Sequence, residues 1–161
     1  MNSRLIKILF SISAAIYLSI VCFNNIFDYG ANFPFVSMVA SMSDTFSKDK
    51  NGWRSIENTT LHHAMFIFII VWEIILAVLL WLGAYRMLRH IKSTPTNFRA
   101  AKKYTAAGLS LGVVLWFTVF IAIAGEWFLM WQSKTWNAQT TAFSLSGIFL
   151  LFLLYHNQED L

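Results

Sequence analysis

Leu61-His62-His63-Ala64-Met65-Phe66-Ile67-Phe68-Ile69-Ile70-Val71-Trp72-Glu73-Ile74-Ile75-Leu76-Ala77-Val78-Leu79-Leu80-Trp81-Leu82 carries no Asp, Lys or Arg, and Glu73 is its one carboxylate. The run is long enough to cross a bilayer as one helix, which takes roughly 20 residues. Three further apolar blocks lie at 5–27, 104–124 and 139–155. The last is the shortest, at the low end of the spanning range. Extended into their flanks, the four blocks predict helices at about 5–27, 61–89, 97–125 and 139–156, with a long loop over 28–60. The expectation is an all-α membrane protein, a single four-helix transmembrane domain over 1–161.

Composition agrees. Hydrophobic residues make up 57% of the chain and charged residues 12%, whereas soluble domains carry roughly 25% charge. Mean hydropathy is +0.57. The formal net charge of +4 is not spread as a nucleic-acid footprint. It concentrates between the second and third blocks, at Arg86, Arg89, Lys92, Arg99, Lys102 and Lys103. That is the positive-inside pattern. Arg4 and Lys7 put the N-terminus on the same side, and the tail with Glu159 and Asp160 returns there. The reading is therefore N-in and C-in, with lipid as partner and no nucleic acid.

Cys22 is the one cysteine, so no intramolecular disulfide holds the outer loop. Arg4 and Lys7 before an apolar run resemble a signal peptide. The run is too long for one, and no small-residue cleavage site follows, so it reads as a retained helix.

The outer loop predicts a short amphipathic helix. With Pro34 in the first turn, Phe35, Val39, Met42 and Phe46 fall on one face, and Ser37, Ser41, Asp44 and Lys48 on the other. Thr59 or Thr60 is expected to cap the second spanning helix, and Thr96 or Asn97 to begin the third. Trp53, Trp127, Trp131 and Trp136 mark one water boundary, and Trp81, Tyr85 and Tyr104 the other, since such rings favour the headgroup level.

Small residues let membrane helices approach. Ser11, Ala15, Ser19 and Cys22 form one such stripe; Gly108 and Gly112 form a GxxxG. Gly108 and Glu126 stand about five α-helical turns apart and so share an azimuth. The glycines join helices within one protomer or between protomers, with the former favoured.

Glu73 is the sharpest anomaly. Counted from the start of its block it is about 15 Å deep, near the bilayer midplane, where a charge costs at least about 2.5–3.5 kcal/mol. It is paired, neutral or facing water. Ser19, Thr118 and backbone carbonyls are candidate partners for a neutral acid; the other reading is a proton or cation site. His62 and His63 open the same block. With Glu126, Trp127, Asn24, Asn25 and Asp28 they are expected at one mouth of the bundle. Three readings of that cluster stand: a helix tie between His63 and Glu126, a zinc or copper site on His62, His63 and Glu126, and a quinone-headgroup pocket. The tie is favoured. Haem is disfavoured. His62 and His63 are adjacent and point about 100° apart, while His90 and His156 fall beyond the hydrocarbon edge. No cofactor is required by the sequence. HExxH and phosphate loops are absent from it.

Leu61-His62-His63-Ala64, Trp72-Glu73, Gly83-Ala84-Tyr85-Arg86-Met87-Leu88-Arg89 and Gly125-Glu126-Trp127-Phe128-Leu129-Met130-Trp131-Gln132-Ser133-Lys134-Thr135-Trp136-Asn137 together resemble a bacterial family of predicted small integral membrane proteins, a domain of unknown function. The resemblance implies four helices in a bacterial inner membrane. It places His62, His63, Glu73, Glu126 and Trp131 in the family's characteristic motifs, and it implies no activity.

The expected function is an accessory or scaffold subunit, or a homo-oligomeric assembly, without catalysis of its own. The alternatives are a proton- or cation-linked transporter using Glu73, and a membrane redox subunit with a quinone or metal site at the outer face.

Overall fold

Four helices are long and apolar enough to cross a membrane: Ser3–Phe27, Thr59–Arg89, Lys103–Trp127 and Gln139–Asn157. They are seen in a computed structural model that describes residues 3–159. Asp160 lies outside the described residues. In chain order the elements are α1 (Ser3–Phe27), α2 (Tyr29–Ala40), α3 (Lys48–Asn51), α4 (Thr59–Arg89), α5 (Pro95–Ala101), α6 (Lys103–Val114) and α7 (Gln139–Asn157). A π-helical segment, Leu115–Trp127, continues α6. No strand occurs among the described residues.

The bundle follows chain order. α1 packs along α4, α4 along α6, and α6 with its π segment along α7. α7 closes the ring against α1, where Phe10 stacks on Phe152 at 4.4 Å. All four spans contribute to one core, in which Ala15, Leu18, Leu76, Leu80, Leu109, Leu115 and Phe149 are almost fully buried. Only 22–39% of each span's most apolar window is buried in the protein. The remainder presents residues such as Phe23, Ile67, Val78 and Leu151 outward. In water such continuous apolar faces would drive aggregation; in a bilayer they are the lipid contact.

Small residues set the helix spacing. A Cβ at Gly108 would lie 3.0 Å from the Leu80 side chain, and one at Gly112 would enter the Phe149 ring. The two glycines of the GxxxG thus receive different helices, α4 and α7, of the same chain. Gly83 was not singled out for packing, yet its approach is the tightest. A Cβ there would collide with Thr105, including its backbone nitrogen at 2.6 Å. Ser11 completes this junction. Its hydroxyl lies 2.9 Å from the Leu80 carbonyl and 2.9 Å from Thr105 Oγ1.

Several local expectations are corrected. α2 begins at Tyr29, so Pro34 lies inside it. The missing N–H of Pro34 leaves the Gly30 carbonyl without its i→i−4 donor. The helix ends at Ala40, and Met42 takes a positive φ of 52°. The proposed stripe is therefore broken: Val36, Val39 and Ala40 are buried in α2, and Phe46 is left exposed. Asn58, not Thr59 or Thr60, caps α4, its side chain accepting from Thr60 and Leu61 N–H. Thr94 caps α5, with Pro95 in the first turn. The third expected helix is divided at Lys102 into α5 and α6.

The π segment matters most for the site. An i→i+5 helix takes nearly one residue more per turn than the α-helix's 3.6. The pattern shows directly at its end, where Phe128 N–H donates to the Ile123 carbonyl at 3.0 Å. Over the eleven residues from Leu115 to Glu126, the azimuth slips by about half a turn. Glu126 thus leaves the glycine face that α-helical counting assigned to it.

Candidate functional site

α1 ends at Phe27 and α2 begins at Tyr29. Around this break α1, α2, α4 and the π segment line a half-open cavity of about 190 Å³, whose walls include Asn25, Asn32, Phe66, Glu73, Trp116 and Phe120. Glu73 is 2% exposed. Asn25 Nδ2 donates to its Oε2 at 2.8 Å. That partner is none of those expected, Ser19, Thr118 or a backbone carbonyl; Ser19 instead bonds Ala15 O and receives the Trp81 indole N–H. Trp116 is buried, and its Nε1 has no hydrogen-bond partner among the described residues.

The depth of Glu73 also changes. α4 has 31 residues, about 46 Å, and so overshoots the roughly 30 Å hydrocarbon layer. At its far end Met87 packs with Ile8. Counted from Met87, Glu73 is about 21 Å away along the helix axis. Its partner Asn25 stands two residues before the end of α1, so Glu73 is level with that end of α1.

The expected cluster of His62, His63 and Glu126 does not assemble. His62 Nε2 meets the Ile56 carbonyl at 2.7 Å, tying the loop to α4. His63 Nδ1 pairs with the Tyr29 hydroxyl at 2.7 Å, and its ring stacks on Phe33 at 4.1 Å. These contacts dock α2 on α4. Glu126 is exposed. The tie between His63 and Glu126 is thus replaced by one between His63 and Tyr29. Among the described residues no group of three or more His, Cys, Asp or Glu side chains gathers as a metal site would require.

Above the cavity the loop segments knit together. Ser133 Oγ donates to Asp44 Oδ2 at 2.6 Å, and Ser47 Oγ donates to Gln132 Oε1 at 2.7 Å. The hydrogen bond from Ser133, followed by that from the Thr135 backbone, holds the Asp44 carboxyl below its ordinary value of 3.8. Phe128, Leu129, Met130, Val39 and Met42 form a small core, with Trp136 packed against it. Trp136 therefore serves the loop core as much as the interface. Trp53 and Trp127 meet edge to face at 5.7 Å, with the Arg54 guanidinium over both rings. Trp131 meets Phe46 at its edge.

At the opposite end, basic residues collect around the helix C-termini. Arg4 donates to the Ile91 and Ser93 carbonyls after α4. Lys7 and Lys102 both donate to the Gln158 carbonyl, and Lys102 also to that of His156. His156 Nε2 lies 3.1 Å from the Lys102 carbonyl, and His90 Nδ1 2.8 Å from that of Arg86. Cations on the last carbonyls of a helix satisfy orphaned acceptors and complement the helix dipole. Sequence reading saw these lysines as a topology signal and missed this second role, which depends on where α7 ends in space.

A family model described as "Predicted small integral membrane protein (DUF2165)" matches residues 3–159. No curated protein matches, and no solved structure does.

Proposed function

Because the chain belongs to that family of small integral membrane proteins, we propose that it is a multi-pass protein of the bacterial inner membrane. In this reading it has no catalytic activity of its own. It works as an accessory or scaffold subunit, with a second copy of itself or a larger membrane complex as partner. One observation carries the reading: the polar side chains of the bundle are used to bind its own helices together. Ser11 ties α1 to α4 and α6, His63 ties α4 to α2, and Lys102 ties the end of α7 to the start of α6. The apolar outer faces are what such a protein offers to others.

The gathering of Arg4, Lys7, Arg86, Lys102 and Lys103 at one end supports N-in and C-in orientation. Below Glu73, Leu18, Leu76, Leu80 and Leu109 are 0–1% exposed. This dry layer supports a blind cavity over ion passage through a single protomer. The dispersal of His62, His63 and Glu126 removes the site on which a metal-bearing redox subunit was expected.

The test is cross-linking in native membranes, mild extraction, and mass spectrometry of what co-purifies. A reproducible partner or a homo-oligomer is the expected result. An isolated monomer after efficient cross-linking refutes the scaffold reading.

A further inference from the structure

The cavity between α1, α2, α4 and the π segment is not absorbed by a scaffold role. Its polar side chains are Asn25, Asn32, Glu73 and Trp116. Asn25 Nδ2 occupies Glu73 Oε2, which leaves Oε1 without a partner among the described residues. Asn32 Nδ2 is directed to the Asn24 and Asp28 carbonyls. Trp116 Nε1 is buried without a partner among the described residues, and an indole N–H can only donate. A buried donor left unmade in an apolar layer costs about 1–3 kcal/mol, so a group of this kind calls for a partner.

The lining narrows the chemistry. No Lys or Arg lines the cavity, so nothing there would neutralise an anion. An ammonium would suit an ionised Glu73 but would leave the Trp116 N–H as it is. A neutral Glu73 donates through Oε1, and the indole is a second donor. Both are answered by one acceptor oxygen with two lone pairs. Phe66 and Phe120 add aromatic surface to the lining. The volume of about 190 Å³ is of ring size, since apolar cavities of about 150 Å³ hold a benzene.

We propose that this cavity binds the carbonyl or hydroxyl oxygen of a membrane-dissolved lipophile, with the Glu73 carboxyl and the Trp116 indole N–H as its donors. A membrane quinone and a glyceride share that chemistry, and binding alone is inferred. The Trp116 ring lies tilted against Phe120 at 4.7 Å.

The full chain in phosphatidylcholine nanodiscs is titrated separately with decylubiquinone, dioctanoylglycerol and dodecylamine, and binding is counted by native mass spectrometry. The expected result is saturable one-to-one binding of the quinone or of the glyceride, and which of them binds identifies the source. Trp116→Phe weakens it about tenfold, the equivalent of one hydrogen bond. Glu73→Gln keeps a donor and weakens it less than Glu73→Leu does. Circular dichroism and thermal unfolding check that each variant folds; if Glu73→Leu does not, Trp116→Phe decides. Saturable binding by neither oxygen probe overturns the proposal, as does binding indifferent to Trp116→Phe. Binding of dodecylamine that Glu73→Gln abolishes overturns it too, in favour of a cation site.

Discussion

Gly83→Ala is expected to be the most damaging single-methyl change in the spanning helices. A Cβ at Gly83 meets Thr105 Oγ1 and stands 2.6 Å from the Thr105 nitrogen and 3.0 Å from its Cα. The hydroxyl can rotate aside, but the backbone of α6 cannot. Restoring ordinary contact at 3.4 Å requires α4 and α6 to separate by about 0.8 Å at this level. Ser11 is bonded to both helices at 2.9 Å, and one of its two contacts then stretches beyond hydrogen-bond range. Overpacking costs about 1–3 kcal/mol, and the lost bond adds about 1 kcal/mol. The sum, about 2–4 kcal/mol, lowers the folded-to-unfolded ratio by roughly thirtyfold to a thousandfold. Gly147→Ala is the control, because nothing lies within 4 Å of its added Cβ. It should be neutral, or stabilising by up to about 1 kcal/mol through helix propensity. Reversible unfolding in mixed micelles, titrated with sodium dodecyl sulfate, measures both. A Gly83→Ala protein within about 0.5 kcal/mol of the parent would refute the close-approach argument.

A double-mutant cycle on Asn25→Leu and Glu73→Leu should give a coupling of about 0.6–1.7 kcal/mol, the range of interhelical hydrogen bonds in membranes; additive effects would show that the pair does not hold α1 to α4. The Asp44 carboxyl, depressed by Ser133, contributes stability that is present above its ordinary 3.8 and lost as the pH falls below it. The protection factors of residues 130–136, which remove the intrinsic pH dependence of exchange, should therefore fall as the pH drops below 3.8, and Asp44→Asn should lower them at neutral pH; an acid response unchanged by Asp44→Asn would remove Asp44 from the loop's anchoring.

The candidate site was legible in part. Glu73 stands out in any reading, because a carboxyl inside an apolar run is costly wherever the run folds. Its partner Asn25 was visible, but placed at the mouth of the bundle with His62 and His63. That placement assumed that α4 begins at the membrane surface, whereas α4 rises past the end of α1. Trp116 gave no signal, since an aromatic residue in an apolar block reads as lipid contact or core. Glu126 gave a misleading one, because the azimuth was extrapolated with α-helical pitch into a segment wound as a π-helix.

Length and hydropathy along the chain by themselves determined the four spans, the long loop and the basic end. The free energy of moving an apolar helix into lipid depends on local composition and hardly on its neighbours. The neighbours decided the rest. Which atoms meet across helices depends on relative height, rotation and winding. These follow from where backbones can approach, at Gly83, Gly108 and Gly112, and from how many residues make a turn after Leu115. Only the packed bundle contains those quantities. It sends Glu126 to the surface and brings Asn25, Glu73 and Trp116 to one cavity.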